Sequence, residues 1–202
     1  MPQRKQLMKH LRVGNAMDKK AAGDIIWQGK HLHIRNLDGW EFVSRNTRRP
    51  AVGIVAVHDD LRVVLVEQFR PPVETSTIEI PAGLTGDILG EEDEHLLEAA
   101  RRELLEETGF EADHWQPLIA GFSSPGITDE SITLFLARKL HRTGAGGGVD
   151  HENIKIHEIP LCEVFQWLQR GNRQADLKLF AGIYTAMQVL SLGGGDCSEE
   201  NA

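Results

Sequence analysis

Apolar and polar positions fall into short blocks along this chain, and their period switches between that of a strand and that of a helix. Residues 51–58 and 61–69 are β-branched, apolar runs joined at Asp59-Asp60, so they predict a hairpin. A third strand is predicted near residues 77–80, broken by Pro81-Ala82-Gly83. From about residue 92 to 108 the spacing becomes helical: Leu97, Ala100, Leu104 and Thr108 make one inner stripe, and Gly109 supplies the stop. Strands are predicted again at 118–122, 132–137 and 154–159, then helices over about 161–170 and 176–190, separated by Gly171. Residues 24–48, with turns at Gly29 and Asp38-Gly39, predict an additional N-terminal β element. Strands and helices alternate without internal repeats, which is the signature of an α/β chain.

Composition narrows this to one domain, since 202 residues with 41% apolar content can bury a substantial core. Residues 1–23 read as a basic leader, flexible or helical, with Arg4, Lys5, Lys9, Arg12, Lys19 and Lys20 against Asp18 alone. Residues 191–202 read as a flexible Gly/Ser/acidic tail. A net charge of −8 disfavours nucleic-acid or anionic-membrane partners. No run of eighteen apolar residues and no secretory signal is present, so a cytoplasmic location is expected. Cys162 and Cys197 lack metal-ligand spacing and are expected to be reduced thiols. His141, His151 and His157 have no helical spacing or cysteine companions, so no zinc site is assigned. Trp115, Phe165 and Trp167 are expected to pack the core.

The stretch Arg102-Glu103-Leu104-Leu105-Glu106-Glu107-Thr108-Gly109-Phe110 carries the chemistry. Residues three and four apart share a helical face, so Glu103 meets Glu106 and Glu107. Three carboxylates so close repel one another, and a cation offsets that repulsion. Hard oxygen donors suit Mg²⁺, with Mn²⁺ as the alternative, better than Zn²⁺. A glutamate-rich helix is most often a plain solvated face. The order Arg-Glu-apolar-x-Glu-Glu-x-Gly-apolar is far more specific, arising by ordinary residue usage on the order of once in 10⁷ windows.

This pattern resembles the core of the Nudix hydrolase box. The resemblance implies an α/β/α sandwich built on a mixed β-sheet, with residues 49–190 as the hydrolase domain and residues 24–48 as a β dimerisation element. It also implies that Glu103, Glu106 and Glu107 ligate divalent cations and that Arg102 braces one of them. One departure is visible. The family's glycine stands six residues before the glutamate that precedes the arginine by eight; here Glu94 is eight before Arg102, but Gly83 is eleven before Glu94. A five-residue insertion within residues 84–93 accounts for it, in a loop where length costs little.

Val66-Glu67-Gln68-Phe69-Arg70-Pro71-Pro72, Ile78-Glu79-Ile80-Pro81-Ala82-Gly83 and Ser124-Pro125-Gly126 with Glu130 resemble the ADP-ribose pyrophosphatase branch, Pro125 standing fifteen residues past Phe110. By that resemblance the Ala82 carbonyl and Glu152 join the metal ligands. The general base is Asp150, Glu152 or Glu130, the first two in a loop whose run Gly144-Ala145-Gly146-Gly147-Gly148 reads as mobile. Trp40 would stack on adenine, Glu41 would read its amine, and Arg45 and Arg70 would grip the diphosphate. Trp27 and His31 are further stacking candidates; Glu79, Pro125 and Glu130 complete the substrate set. The implied reaction is Mg²⁺-dependent cleavage of ADP-ribose or a related nucleoside diphosphate sugar, giving AMP and ribose 5-phosphate from ADP-ribose, in a homodimer with composite sites. GDP-mannose or dinucleoside polyphosphate hydrolysis is the nearest alternative, and a non-catalytic ADP-ribose sensor a more distant one.

Overall fold

The computed structural model describes residues 23–47, 49–86, 94–148 and 153–192. The expected hairpin of apolar runs forms as β4 (Ala51–Val57) and β5 (Arg62–Arg70), and every residue of β4 is buried. A strand apolar on both sides needs cover on both faces. Val52, Ile54, Ala56 and Val64 point into one core, where Ala99, Ala100 and Leu104 of helix α1 (Leu96–Thr108) cover them. Val55, Val57, Val63 and Leu65 point into the other, under Leu168 of α2 (Val164–Arg170) and Leu179, Ile183 and Ala186 of α3 (Leu177–Val189). The alternation of side chains along β4 thus places one helix on one face and two on the other, an α/β/α sandwich.

The sheet is mixed. β4 runs parallel to β9 (Ser131–Arg142), which pairs antiparallel with β8 (Phe110–Phe122) at the edge. β5 pairs antiparallel with β6 (Thr75–Glu79) and β10 (Lys155–Pro160); β7 (Ala82–Leu84) pairs with β4, and the short β11 (Gln174–Ala175) closes the far edge beside β6. A separate three-stranded antiparallel sheet, β1 (Asp24–Gln28), β2 (Leu32–Leu37) and β3 (Trp40–Arg45), occupies the N-terminal region. It leans on the turn after β8, where Val43 N donates to Ile127 O at 2.8 Å and Ser44 Oγ to Asp129 Oδ2 at 2.7 Å.

Several expectations are corrected. The strand expected at 118–122 begins eight residues earlier, at Phe110. The helix expected from residue 161 opens as a single 3-10 turn over Leu161–Glu163 before α2 starts. Phe165 is 40% exposed and stacks on Phe180 rather than entering the core. Cys162 is disulfide-bonded, against the expectation of reduced thiols; Cys197 lies outside the described residues. The glycine run after β9 is pinned, not loose. Gly147 N donates to Glu107 O at 2.9 Å, Gly148 N to Glu106 O at 3.0 Å, and Gly144 N to Gly109 O at 3.0 Å. These amides satisfy carbonyls that the end of α1 leaves open. Gly146 has a positive φ of 69°, and a side chain there would strike the Thr108 backbone. No helix among the described residues is long and apolar enough to cross a membrane.

Candidate active site

Helix α1 carries the acidic cluster on its last two turns. Its apolar stripe is held by the sheet, so Glu103 and Glu107 are carried inward with it and are only 7% and 4% exposed. Arg102 organises the cluster. Its Nη1 donates to Glu103 Oε1 at 2.8 Å and Glu106 Oε2 at 3.2 Å, while Nη2 reaches the Leu84 carbonyl at 2.9 Å. Nε and Nη2 also hold the two oxygens of Glu94, each at 3.2 Å, and Gly86 N donates to Glu94 at 2.7 Å. Burial opposes the Glu94 charge, but the Arg102 guanidinium and the Gly86 amide hold its carboxyl below the usual carboxylate range. The insertion within 84–93 therefore leaves Glu94 tied to the arginine eight residues on; residues 87–93 lie outside the described residues.

The strand after the Pro81 break forms the opposing wall. Ala82 N donates to Glu107 Oε2 at 3.1 Å. A Cβ built on Gly83 would overlap the Glu103 carboxylate, so a side chain there would have to push that carboxylate aside. No three His, Cys, Asp or Glu side chains among the described residues form a preformed cation cage, and Arg102 holds two of the three helix glutamates. The donor chemistry, carboxylates closing on a backbone strand, fits a hard divalent cation such as Mg²⁺.

These groups line a cleft of about 650 Å³. Its floor holds Ala82, Gly83, Glu103 and Glu107; one flank brings Arg45 and Glu130, another Arg70, Asp176 and Lys178, and a third the stretch from Ile119 to Ser123. Arg45 joins Glu130 through Nε and Nη2, both at 2.7 Å from Oε1. Arg70 forks onto Glu79 at 2.7 and 2.9 Å, and Lys178 Nζ reaches Glu79 at 2.7 Å. The Glu79 bond raises the Arg70 guanidinium above its ordinary value, with Glu107 and Asp176 adding to it. A carboxylate floor flanked by three cations can hold a diphosphate only with further positive charge on the floor.

Among the sequence-derived candidates, Ala82, Glu103, Glu107, Arg45, Arg70 and Glu130 meet in this cleft. Glu106 does not line the cleft and is held by Arg102. Glu79 is 2% exposed and sits behind Arg70 instead of lining the cleft. Trp40 is 62% exposed, with Nε1 donating to Gly126 O at 3.4 Å, and neither it nor Glu41, Pro125 or Trp27 lines the cleft. Asp150, His151 and Glu152 lie outside the described residues. Lys178 and Asp176 were missed by sequence reasoning. The one available signal was the helix start, where Asp176 Oδ1 accepts from Lys178 N at 2.7 Å, and a capping aspartate says nothing of a site.

Comparison with known proteins accords with this geometry. Residues 47–180 match the NUDIX domain. The ADP-ribose pyrophosphatase of Bacillus subtilis is 43% identical over 159 residues, covering 75% of this chain and 83% of that protein. The methanol dehydrogenase activator of Bacillus methanolicus is 37% identical over 68% of this chain and 72% of its own length. The GDP-mannose pyrophosphatase of Klebsiella pneumoniae is 32% identical over 68% of this chain and 70% of its own. The crystal structure of an ADP compounds hydrolase superposes with a TM-score of 0.68 at 21% identity, covering 83% of this chain and 91% of that one, which speaks to the fold. With the Arg102–Glu103–Glu106–Glu107 helix closed on a Pro-Ala-Gly strand and a family match over most of its length, the chain belongs to the Nudix hydrolases.

Proposed function

We propose that this protein hydrolyses the pyrophosphate bond of ADP-ribose or a related nucleoside diphosphate sugar with the help of Mg²⁺. The observation that carries the reading is the cleft itself, in which Glu103 and Glu107 form an acidic floor beneath Arg45, Arg70 and Lys178. Glu103, Glu106, Glu107, the Ala82 carbonyl and Glu152 are the groups that would hold divalent cations. Bound there, such ions neutralise diphosphate oxygens and make a water molecule a better nucleophile. The residues of the chain do the rest. Arg102 keeps Glu103 and Glu106 in register, and Arg45 and Arg70, whose Nε and Nη2 are engaged by Glu130 and Glu79, offer their remaining N–H donors to the phosphates. A carboxylate takes the proton of the attacking water. Glu130 is in the cleft, where Arg45 holds it as a carboxylate partner; Asp150 and Glu152 are the other candidates. Water adds to one phosphorus, the bridging oxygen leaves with the other, and ADP-ribose yields AMP and ribose 5-phosphate.

The relative named as an ADP-ribose pyrophosphatase favours the adenine substrate, and the one named as a GDP-mannose pyrophosphatase keeps the guanine sugar as the second reading. A cytoplasmic homodimer belongs to the proposal. Ile25, Trp27, Trp40, Phe122 and Ile127 are all exposed apolar residues, which suits a partner supplying the base platform that one protomer's cleft lacks.

The test is release of AMP from ADP-ribose with Mg²⁺, run beside GDP-mannose and diadenosine polyphosphate and repeated in EDTA. Turnover abolished by EDTA, with ADP-ribose preferred, is the expected result. Glu107→Gln should lower kcat by about 10³-fold or more while the melting temperature changes little. A Glu107→Gln enzyme with wild-type rates would sink the assignment of the floor. Tight binding of ADP-ribose without turnover would make the protein a sensor.

A further inference from the structure

Glu79 is the most deeply buried carboxylate beside the cleft, at 2% exposure, and it does not itself line the cleft. All its bonds go to neighbouring side chains. Oε1 accepts from Arg70 Nε at 2.7 Å and Thr77 Oγ1 at 2.7 Å; Oε2 accepts from Arg70 Nη2 at 2.9 Å and Lys178 Nζ at 2.7 Å. One anion at the end of β6 therefore joins a cation from β5 to a cation from the first turn of α3. Lys178 is held from the other side by Asp176, whose N donates to Ile78 O at 3.1 Å, so the helix start is tied to the same strand.

The two-point fork fixes the guanidinium plane of Arg70. Among the described residues Nη1 of Arg70 has no partner, while Nε and Nη2 are both spent on Glu79. Arg70 is 42% exposed and Lys178 18%, and both line the cleft opposite Glu107. A long side chain left free would sample many rotamers, each lost on binding an anion. Locked in advance, the pair presents donors at little entropic cost.

Resting on the proposed function, we propose that Glu79 is a positioning residue. It never touches substrate, and it sets Arg70 and Lys178 as a preorganised diphosphate clamp. Sequence placed Glu79 among the substrate contacts; the geometry gives it a place one layer behind.

The experiment is a double-mutant cycle on the full chain with Glu79→Gln, Arg70→Ala and the pair together. Two quantities are read: kcat and KM for ADP-ribose, and the Kd for inorganic pyrophosphate in Mg²⁺ by calorimetry. Glutamine keeps the shape and loses the charge. The expected result is a roughly tenfold rise in KM and in Kd for Glu79→Gln, with kcat within about threefold of wild type. In the Arg70→Ala background the same change should cost clearly less than in wild type, about threefold or less, because only Lys178 is left for Glu79 to act through. Glu79→Gln combined with Lys178→Met removes anion and cation together, and supplies a folded variant should the single change unfold the protein. It should show a Kd weakened at least as much as in Glu79→Gln alone, with a recovered melting temperature. Multiplicative effects of Glu79→Gln and Arg70→Ala would overturn the proposal, as would a fall in melting temperature with KM and Kd unmoved, or wild-type protein that does not bind pyrophosphate. Wild type that binds pyrophosphate through this pair and leaves ADP-ribose intact would instead overturn the proposed function alone.

Discussion

At Gly83 the backbone passes so close to Glu103 that a side chain would displace its carboxylate, and at Glu79 a carboxylate is buried under two cations. The two positions show how single residues set this site. Burial alone would push the Glu79 carboxyl up; the Arg70 fork, Lys178 and Thr77 outweigh it and bring the group down to about 2, against an ordinary value of 4.5. A carboxyl depressed on folding adds stability above its unfolded pKa, and that contribution fades as pH falls toward the folded pKa. Wild-type protein should therefore lose stability between about pH 4.5 and pH 2, by on the order of 2 kcal/mol from this group. Chemical denaturation at several pH values checks it, and Glu79→Gln should give a flatter profile across that window. The floor glutamates were legible at this scale because the Arg-Glu-x-x-Glu-Glu order is unusual in itself. Lys178 was not, since a lysine behind a capping aspartate is commonplace and its partner is 99 residues away.

Elements inherit their positions from which faces they bury. Helix α1 presents Ala99, Ala100 and Leu104 to β4 and carries Glu103 and Glu107 to the cleft on the adjoining side, so packing and chemistry share one helix. Leu104→Ala should cost about 2–5 kcal/mol in stability, read as a lower denaturation midpoint. The surviving folded enzyme should show weakened metal-dependent turnover, since the carboxylates ride on the same turn. The apolar runs of β4 and β5 and the helical stripe were readable in the sequence because burial on both faces leaves a dense pattern. The first half of β8 was not. Residues 110–117 include two acids, a histidine and a proline, and among the described residues the strand pairs only with β9 at the sheet edge, with an irregular register at Pro117/Ile119 that accommodates the proline. The glycine run 144–148 misled in the opposite direction. Its amides cap the carbonyls of Glu106, Glu107 and Gly109, so glycine there serves close approach instead of freedom.

Across the whole molecule, the N-terminal sheet exposes Ile25, Trp27 and Trp40, and the end of β8 with the turn after it exposes Phe122 and Ile127. For the proposed homodimer, light scattering should return about twice the 22.5 kDa chain mass, and Ile25→Asp with Ile127→Asp should shift the population toward monomer with loss of adenine preference. A persistent monomer with full activity would count against composite sites. The same sheet has a second bearing on the cleft. Arg45, whose guanidinium holds Glu130 on the cleft wall, precedes the segment that defines the family, which begins at residue 47; Ile183 and Ala186, which anchor the helix bearing Lys178, follow its end at residue 180. The smallest piece of chain able to work is thus larger than the piece that names it, and a fragment cut to the family boundaries would keep the glutamates while losing an arm of the site at one end and its footing at the other.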